Sequence, residues 1–249
     1  MLVAPKVTRR QVIQISTLSF IQSLLGVFGY ANAVDDRATY CYLGESGWCG
    51  PHVDFFIGIL LTENPPDHKK EISSIREYTN YRGVLRYRST DHFKVAYGKR
   101  IIKYFLEQGE MKFIGLKVNF VNDWPNIPDE RYALYFGMYK KLLLRGKLNR
   151  TTGIVIQTQT RTTTGRDEIF WQFLTREMGG PEIRRVRAKN DDLTQLVGFL
   201  TGLMRDERKL KSEAKMSLFS YLRESLDVES LDEAHLGAHP KFNVRNLLV

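Results

Sequence analysis

The order of periodic segments predicts an α/β domain built on a mixed sheet. Three observations carry this: strand-like segments come first, helix and strand then alternate toward the C-terminus, and composition is that of a chain with a real core. Of 249 residues, 43% are hydrophobic and 26% charged, the ordinary balance of one large globular domain or two small ones.

Residues 39–43 alternate and are β-rich, followed by the turn-prone Gly44-Glu45-Ser46-Gly47 and Gly50-Pro51. Residues 53–62 form a second strong strand, so the pair reads as a hairpin with a long loop. Pro65-Pro66 opens a polar helix over about 67–79, and 84–87 is a short third strand. Residues 93–108 have helical spacing, with Ala96, Ile101, Tyr104 and Phe105 apolar. A strand over 112–120 leads into a proline-bearing connection over 123–129, where Pro128 with Asp129-Glu130 suits a helix start. The remaining expectations are a Tyr- and Leu-rich helix over 132–148, a strand over 153–158, a helix over 166–178 and a strand over 183–187. Helices over 191–206 and 210–226 follow, and the last twenty or so residues read as an irregular tail. The expected organisation is a leader over 1–33, a domain over 34–226 and a C-terminal tail over 227–249.

No run of eighteen apolar residues is free of polar interruption, which excludes a conventional membrane bundle. Two cysteines and the absence of a short repeat exclude disulfide-knot, collagen-like and coiled-coil readings. Of the net charge of +9, three charges come from Lys6, Arg9 and Arg10, so the body of the chain is only modestly basic.

Residues 1–33 contain no Asp or Glu. A basic start precedes a moderately apolar stretch over 12–30 and then Ala31-Asn32-Ala33, the small-x-small pattern that a signal peptidase accepts. Thr8-Arg9-Arg10-Gln11-Val12-Ile13-Gln14 has the hydroxyl residue, paired arginines and apolar pair of a twin-arginine export motif. The expectation is export to the periplasm or cell envelope; the alternative is an amphipathic N-terminal helix on a cytoplasmic protein. Export would place Cys41 and Cys49 where a disulfide is possible, but the default expectation is a buried thiol and an exposed one without a bridge.

Several ordered segments, Tyr42-Leu43-Gly44-Glu45-Ser46-Gly47 and Gln195-Leu196-Val197-Gly198-Phe199-Leu200-Thr201-Gly202 the most specific of them, resemble domain of unknown function family 3800, bacterial and phage proteins with a ribonuclease H-like fold presumed to be metal-dependent nucleases. The order of elements is also that of a ribonuclease H-like fold, which periodicity alone does not single out. The family's first strand, Tyr-Ile-Asp-Glu-Ser-Gly, is matched by Tyr42-Leu43-Gly44-Glu45-Ser46-Gly47. Its Glu-Leu-Lys-Trp strand is matched by Val84-Leu85-Arg86-Tyr87, and a Phe-Arg-Ala-Ile-Val type strand by residues 112–118. The long Tyr- and Leu-rich helix is matched by 132–148, and a strand ending in Asp by Ile154-Val155-Ile156-Gln157. Gln-Leu-Ala-Asp-Leu-Leu-Thr-Gly is matched by Gln195-Leu196-Val197-Gly198-Phe199-Leu200-Thr201-Gly202. The resemblance spans roughly 39–206.

Two-metal phosphoryl chemistry needs clustered carboxylates, because hard divalent cations require anionic oxygen ligands. At the four acidic positions that the resemblance implies, this chain carries Gly44, Val84, Gln157 and Gly198, none of which supplies an anionic ligand. Glu45 survives, but one carboxylate does not hold two cations. The resemblance therefore implies a site without catalytic residues, metal or cofactor.

Other constellations read as structural. Asp167-Glu168 and Asp191-Asp192 suit helix N-termini. His235 and His239 are four apart, but Gly237 and Pro240 argue against the helix that a metal pair would need. Ser46 lacks the nucleophile-elbow spacing, and no Gly-rich phosphate loop occurs. Arg184, Arg185, Arg187 and Lys189 form the densest basic run, either a phosphate-contacting groove or a protected strand edge. Trp48, Trp124 and Trp171 are candidate interface anchors, with core packing the default for Trp171. The functional expectation is a non-catalytic interaction subunit of a bacterial envelope assembly, such as a secretion complex, with other protein subunits as partners and no small-molecule substrate. The alternative is a cytoplasmic nucleic-acid-binding protein that has lost nuclease activity.

Overall fold

The computed structural model describes residues 40–47, 55–87, 91–119, 136–143, 153–157, 172, 174–176, 182–204 and 212–248. All belong to the unit Asp36–Val249. The expected leader, Cys49, Asp167-Glu168 and the three tryptophans lie outside the described residues.

Strands β1 (Tyr40–Gly47), β2 (Phe55–Thr62) and β3 (Lys112–Asn119) form an antiparallel meander. Strand β4 (Gly153–Gln157) lies parallel to β1, and β5 (Glu182–Val186) parallel to β4. A final strand, β6 (Phe242–Leu248), pairs parallel to β3, giving a six-stranded sheet of order β5-β4-β1-β2-β3-β6. Without β6, this is the strand order of a ribonuclease H-like fold.

Alternation of side chains along each strand divides the sheet into two faces. Tyr42 and Gly44 of β1 share one face with Phe56, Gly58 and Leu60 of β2, Phe113 and Gly115 of β3, and Phe242 and Val244 of β6. Cys41, Leu43, Ile57, Ile59, Ile114 and Leu116 occupy the other, and they too are buried. The continuous apolar run of β2 reflects cover on both faces. On the first face lie α1 (Pro65–Tyr78), α2 (His92–Glu107), α3 (Asp192–Leu203) and α4 (Glu213–Ser225). Their Ile72, Ile101, Phe105, Leu200 and Leu218 share one core with Tyr42, Leu60 and Phe113. A helical segment at 136–143 lies on the second face, where Tyr139 bonds Glu45.

Helix boundaries follow local chemistry. Asp191 and Asp91 cap α3 and α2, accepting from the backbone N–H of Thr194 and Lys94. Asn80 and Asp227 adopt left-handed φ values of 51° and 53° just past α1 and α4. The N–H of Tyr81 and Val228 then reach back to the carbonyls of Arg76 and Arg223, closing both ends as Schellman motifs.

Three expectations are corrected. Gly44 to Gly47 are strand, since pairing with β2 runs unbroken to Gly47 opposite Phe55. Residues 84–87 are not a strand: the Leu85 N–H donates to the Gln195 side chain and the Val84 carbonyl accepts from the Tyr81 hydroxyl. The C-terminal residues are not an irregular tail, because they form α5 (Glu233–Leu236) and β6. Phe242 and Val244 alternate into the core and give β6 its hold on the sheet.

Cys41 is a fully buried free thiol, and burial raises its pKa strongly. In a chain carrying Cys49→Ser, Cys41 is expected to resist alkylation until the domain unfolds. Mass spectrometry of iodoacetamide-treated protein across a urea series checks this.

Candidate functional site

The fold brings together three of the four positions that the resemblance aligns with metal-binding acids. Gly44 sits in β1, and Gln157 occupies the next register position on β4 after the Leu43–Ile156 pair. Gly198 belongs to α3, which crosses the same sheet face. The fourth, Val84, lies in the irregular segment whose next residue is tethered to α3 through Gln195.

Helix α3 is apolar almost all round because nearly every residue in it is buried. Its lower side meets a row of three glycines, for Gly44 is registered opposite Gly58 and Gly58 opposite Gly115. A Cβ placed on Gly44 would lie 2.9 Å from the Gly198 nitrogen and 2.9 Å from the Val197 carbonyl carbon. On Gly58 it would meet Thr201 Oγ1 at 2.4 Å, and on Gly115 Met204 Sδ at 2.3 Å. Residues 197, 201 and 204 recur at helical spacing, so one stripe of α3 lies along the glycine row. The opposite side holds Gln195 and Gly202; a Cβ on Gly202 would lie 2.3 Å from Cβ of Tyr87. The helix is thus clamped between the sheet and the 81–87 segment.

This geometry does not fit a pair of divalent cations. Position 44 has no room for any side chain, and the obstruction is helix backbone. Glu45, one residue on, points to the opposite face, where its carboxylate accepts from the Tyr139 hydroxyl. Among the described residues no group of three His, Cys, Asp or Glu side chains is placed to hold a metal ion.

The charged groups nearest this seam position α3. Lys69 pairs with Asp191, and Arg76 with Asp192. Arg76 also donates to the Gly83 carbonyl at 2.6 Å and to Gln195 Oε1 at 3.3 Å. Its guanidinium carbon lies 5.3 Å from the ring centres of both Tyr81 and Tyr97, which stack 4.3 Å apart. Asp191-Asp192 is therefore helix cap and ion-pair partner, as their place before α3 predicts.

The basic run does not join the seam as a unit. Arg184 and Arg185 lie within β5, an edge strand of the sheet among the described residues, while Arg187 follows it and Lys189 sits in a 3-10 turn at Ala188–Asn190. Arg184, Arg187 and Lys189 are exposed; burial raises the pKa of Tyr42, with Asp191 adding to the rise and Arg184 weakly opposing it. Nothing is described for the side chain of Arg185. His235 bonds Asp232 at 2.9 Å, while His239 Nδ1 accepts backbone N–H groups at the start of β6, so the two do not converge. The glycine row was not anticipated from sequence, since only strand register reveals it.

No protein-family model matches this chain, and no curated protein sequence matches it. Among solved structures, the complex of PCNA with RNase HII from Archaeoglobus fulgidus is similar at a TM-score of 0.44 and 12% identity. The match covers 69% of this chain and 74% of that one. The strand order and pairing, not this likeness, carry the fold assignment: a mixed α/β sheet flanked by helices with ribonuclease H-like topology.

Proposed function

We propose that the protein is a non-catalytic interaction subunit of a bacterial cell-envelope assembly, built on a degenerate nuclease-like fold related to domain of unknown function family 3800. The observation that carries the non-catalytic part is the closed approach of Gly44 to the α3 backbone at Gly198. Where phosphoryl chemistry would need converging carboxylates, this chain has helix–sheet contact. The relationship to the family is supported by the convergence of positions 44, 157 and 198. The envelope assignment rests on the twin-arginine-like and small-x-small patterns of residues 1–33. No helix among the described residues is long and apolar enough to cross a membrane.

Two measurements test the two parts. Purified protein incubated with single- and double-stranded DNA and RNA in Mg²⁺ or Mn²⁺ is expected to leave every substrate intact; metal-dependent cleavage sinks the non-catalytic reading. Fractionation of the native cell with mass determination of the N-terminus is expected to find a chain beginning at Val34 in the envelope. An intact Met1 in the cytoplasm favours the second reading, a nucleic-acid-binding protein. The exposed Arg184, Arg187 and Lys189 beside one sheet edge support that alternative. Its signature is affinity that falls steeply with salt and falls again when those residues are neutralised.

A further inference from the structure

Strand β6 reaches the sheet through a short lead-in held by side-chain bonds. The imidazole Nδ1 of His239 accepts the backbone N–H of Lys241 at 3.2 Å and of Phe242 at 3.1 Å. Asn243 Nδ2 donates to the Gly237 carbonyl, and Lys241 in turn accepts the Phe113 N–H of β3 at 2.9 Å. One ring nitrogen thus satisfies two consecutive donors where β6 joins β3. Only an unprotonated nitrogen accepts.

We propose that His239 is an acid-operated cap: as a neutral imidazole it pins β6 to the sheet, and protonation turns its acceptor into a donor facing two donors and releases the strand. Release leaves β3 (Lys112–Asn119) as the edge, with backbone groups open to pairing.

Of the charged groups around the lead-in, Lys241 and His68 act in the same direction and the His235–Asp232 pair acts against it. Lys241 Nζ is buried, has no hydrogen-bond partner among the described residues and stands 5.1 Å above the Phe105 ring. Burial lowers its pKa to about 8, opposed by Glu110, so it is already largely cationic at neutral pH. From α1, the buried His68 bonds Tyr104 through Nδ1 at 2.7 Å, and its Nε2 lies 3.2 Å from Glu110 Oε1 without hydrogen-bond alignment. Burial lowers the pKa of His68, against the pull of Glu110 and Asp67. On the α5 side, His235 has its pKa raised by its bond to Asp232, with Glu229 assisting, so that pair strengthens as pH falls. Burial lowers the pKa of His239 itself. A histidine with a depressed folded pKa contributes stability that is complete above its unfolded value of 6.5 and is lost as pH falls below it. Lys241 titrates in a higher window and completes its protonation near the top of this range, before His239 titrates.

The test is amide hydrogen exchange of the full chain at about pH 7.5 and about pH 5, corrected for intrinsic rates, comparing β6 with β1 and β2. Protection of residues 242–248 is expected to fall about tenfold more than that of β1 and β2 on acidification. In His239→Asn, whose amide oxygen keeps an acceptor that does not titrate, that extra loss is expected to vanish. Equal behaviour of β6 and the central strands, or an undiminished acid response in His239→Asn, overturns the proposal. Imidazole resonances of the wild-type chain make the same test without substitution: β6 opening must follow the His239 midpoint, and opening at the midpoint of His68 instead refutes it.

Discussion

Gly44→Asp, the substitution that would restore the first acid of the presumed nuclease pattern, is expected to cost at least about 3 kcal/mol and to bring no cleavage activity. The contact that a Cβ would make at 2.9 Å is with the main chain of Val197 and Gly198, which has no rotamer to yield. Gly58 and Gly115 differ, because their obstructions include the movable side chains of Thr201 and Met204. For a domain of about 200 residues, 3 kcal/mol lowers Tm by about 6–12 °C. Gly44→Ala is expected to show most of the same loss, since the first carbon added is the obstructed one. Gly198→Ala supplies the control: its Cβ would meet nothing within 4 Å, and alanine in a helix interior is favoured over glycine by about 0.5–1 kcal/mol. Calorimetry of the three variants reads the difference. A Gly44→Asp protein as stable as the parent, or one that cleaves nucleic acid with Mg²⁺, would show that the seam has room for a metal site and overturn the steric argument drawn from Gly44.

The glycines also show where sequence reading succeeds and where it stops. Strong local periods set β2, α2 and α3 within a few residues of their observed ends, because each signal lies in the segment itself. Gly44-Glu45-Ser46-Gly47 read as a turn because glycine's common local use is to bend the chain. Here Gly44 serves a long-range contact, letting a helix about 150 residues onward rest on the strand. That requirement exists only once register places Gly44, Gly58 and Gly115 side by side. The 84–87 segment has strand composition but spends its backbone groups on Gln195 and Tyr81, an option no pattern encodes. Strand β6 hid behind Gly237, His239 and Pro240, which punctuate the chain just before it. At the candidate site, positions 44, 157 and 198 were legible through resemblance. The opposed face of Glu45 was legible from the period of a strand, once 44 and 45 are known to lie in one.

Arg76→Met is expected to destabilise the domain by about 3 kcal/mol. Arg76 joins three separate segments: its own helix α1, the irregular 81–87 segment through the Gly83 carbonyl, and the first turn of α3 through Asp192 and Gln195. Its side chain and that of Asp192 are 20% and 23% exposed, so solvent screens the pair only in part. Removing the guanidinium leaves Asp192 without this partner and strips the cation from above the Tyr81–Tyr97 stack. Arg76→Lys is expected to recover less than half of the loss. A single ammonium does not reproduce a planar fork that reaches acceptors on two segments while lying over two rings. The pair term is separable by a double-mutant cycle with Asp192→Asn, measured by urea unfolding, with an expected coupling of about 1–2 kcal/mol. That coupling should persist at high salt, unlike an exposed ion pair. Because Arg76 fixes the segment that clamps α3 from above, its loss should also loosen the helix over the glycine row. Exchange protection in α3 is therefore expected to drop more than in α4. Uniform loss across both helices would mean that Arg76 supports the core at large and does not specifically seat α3.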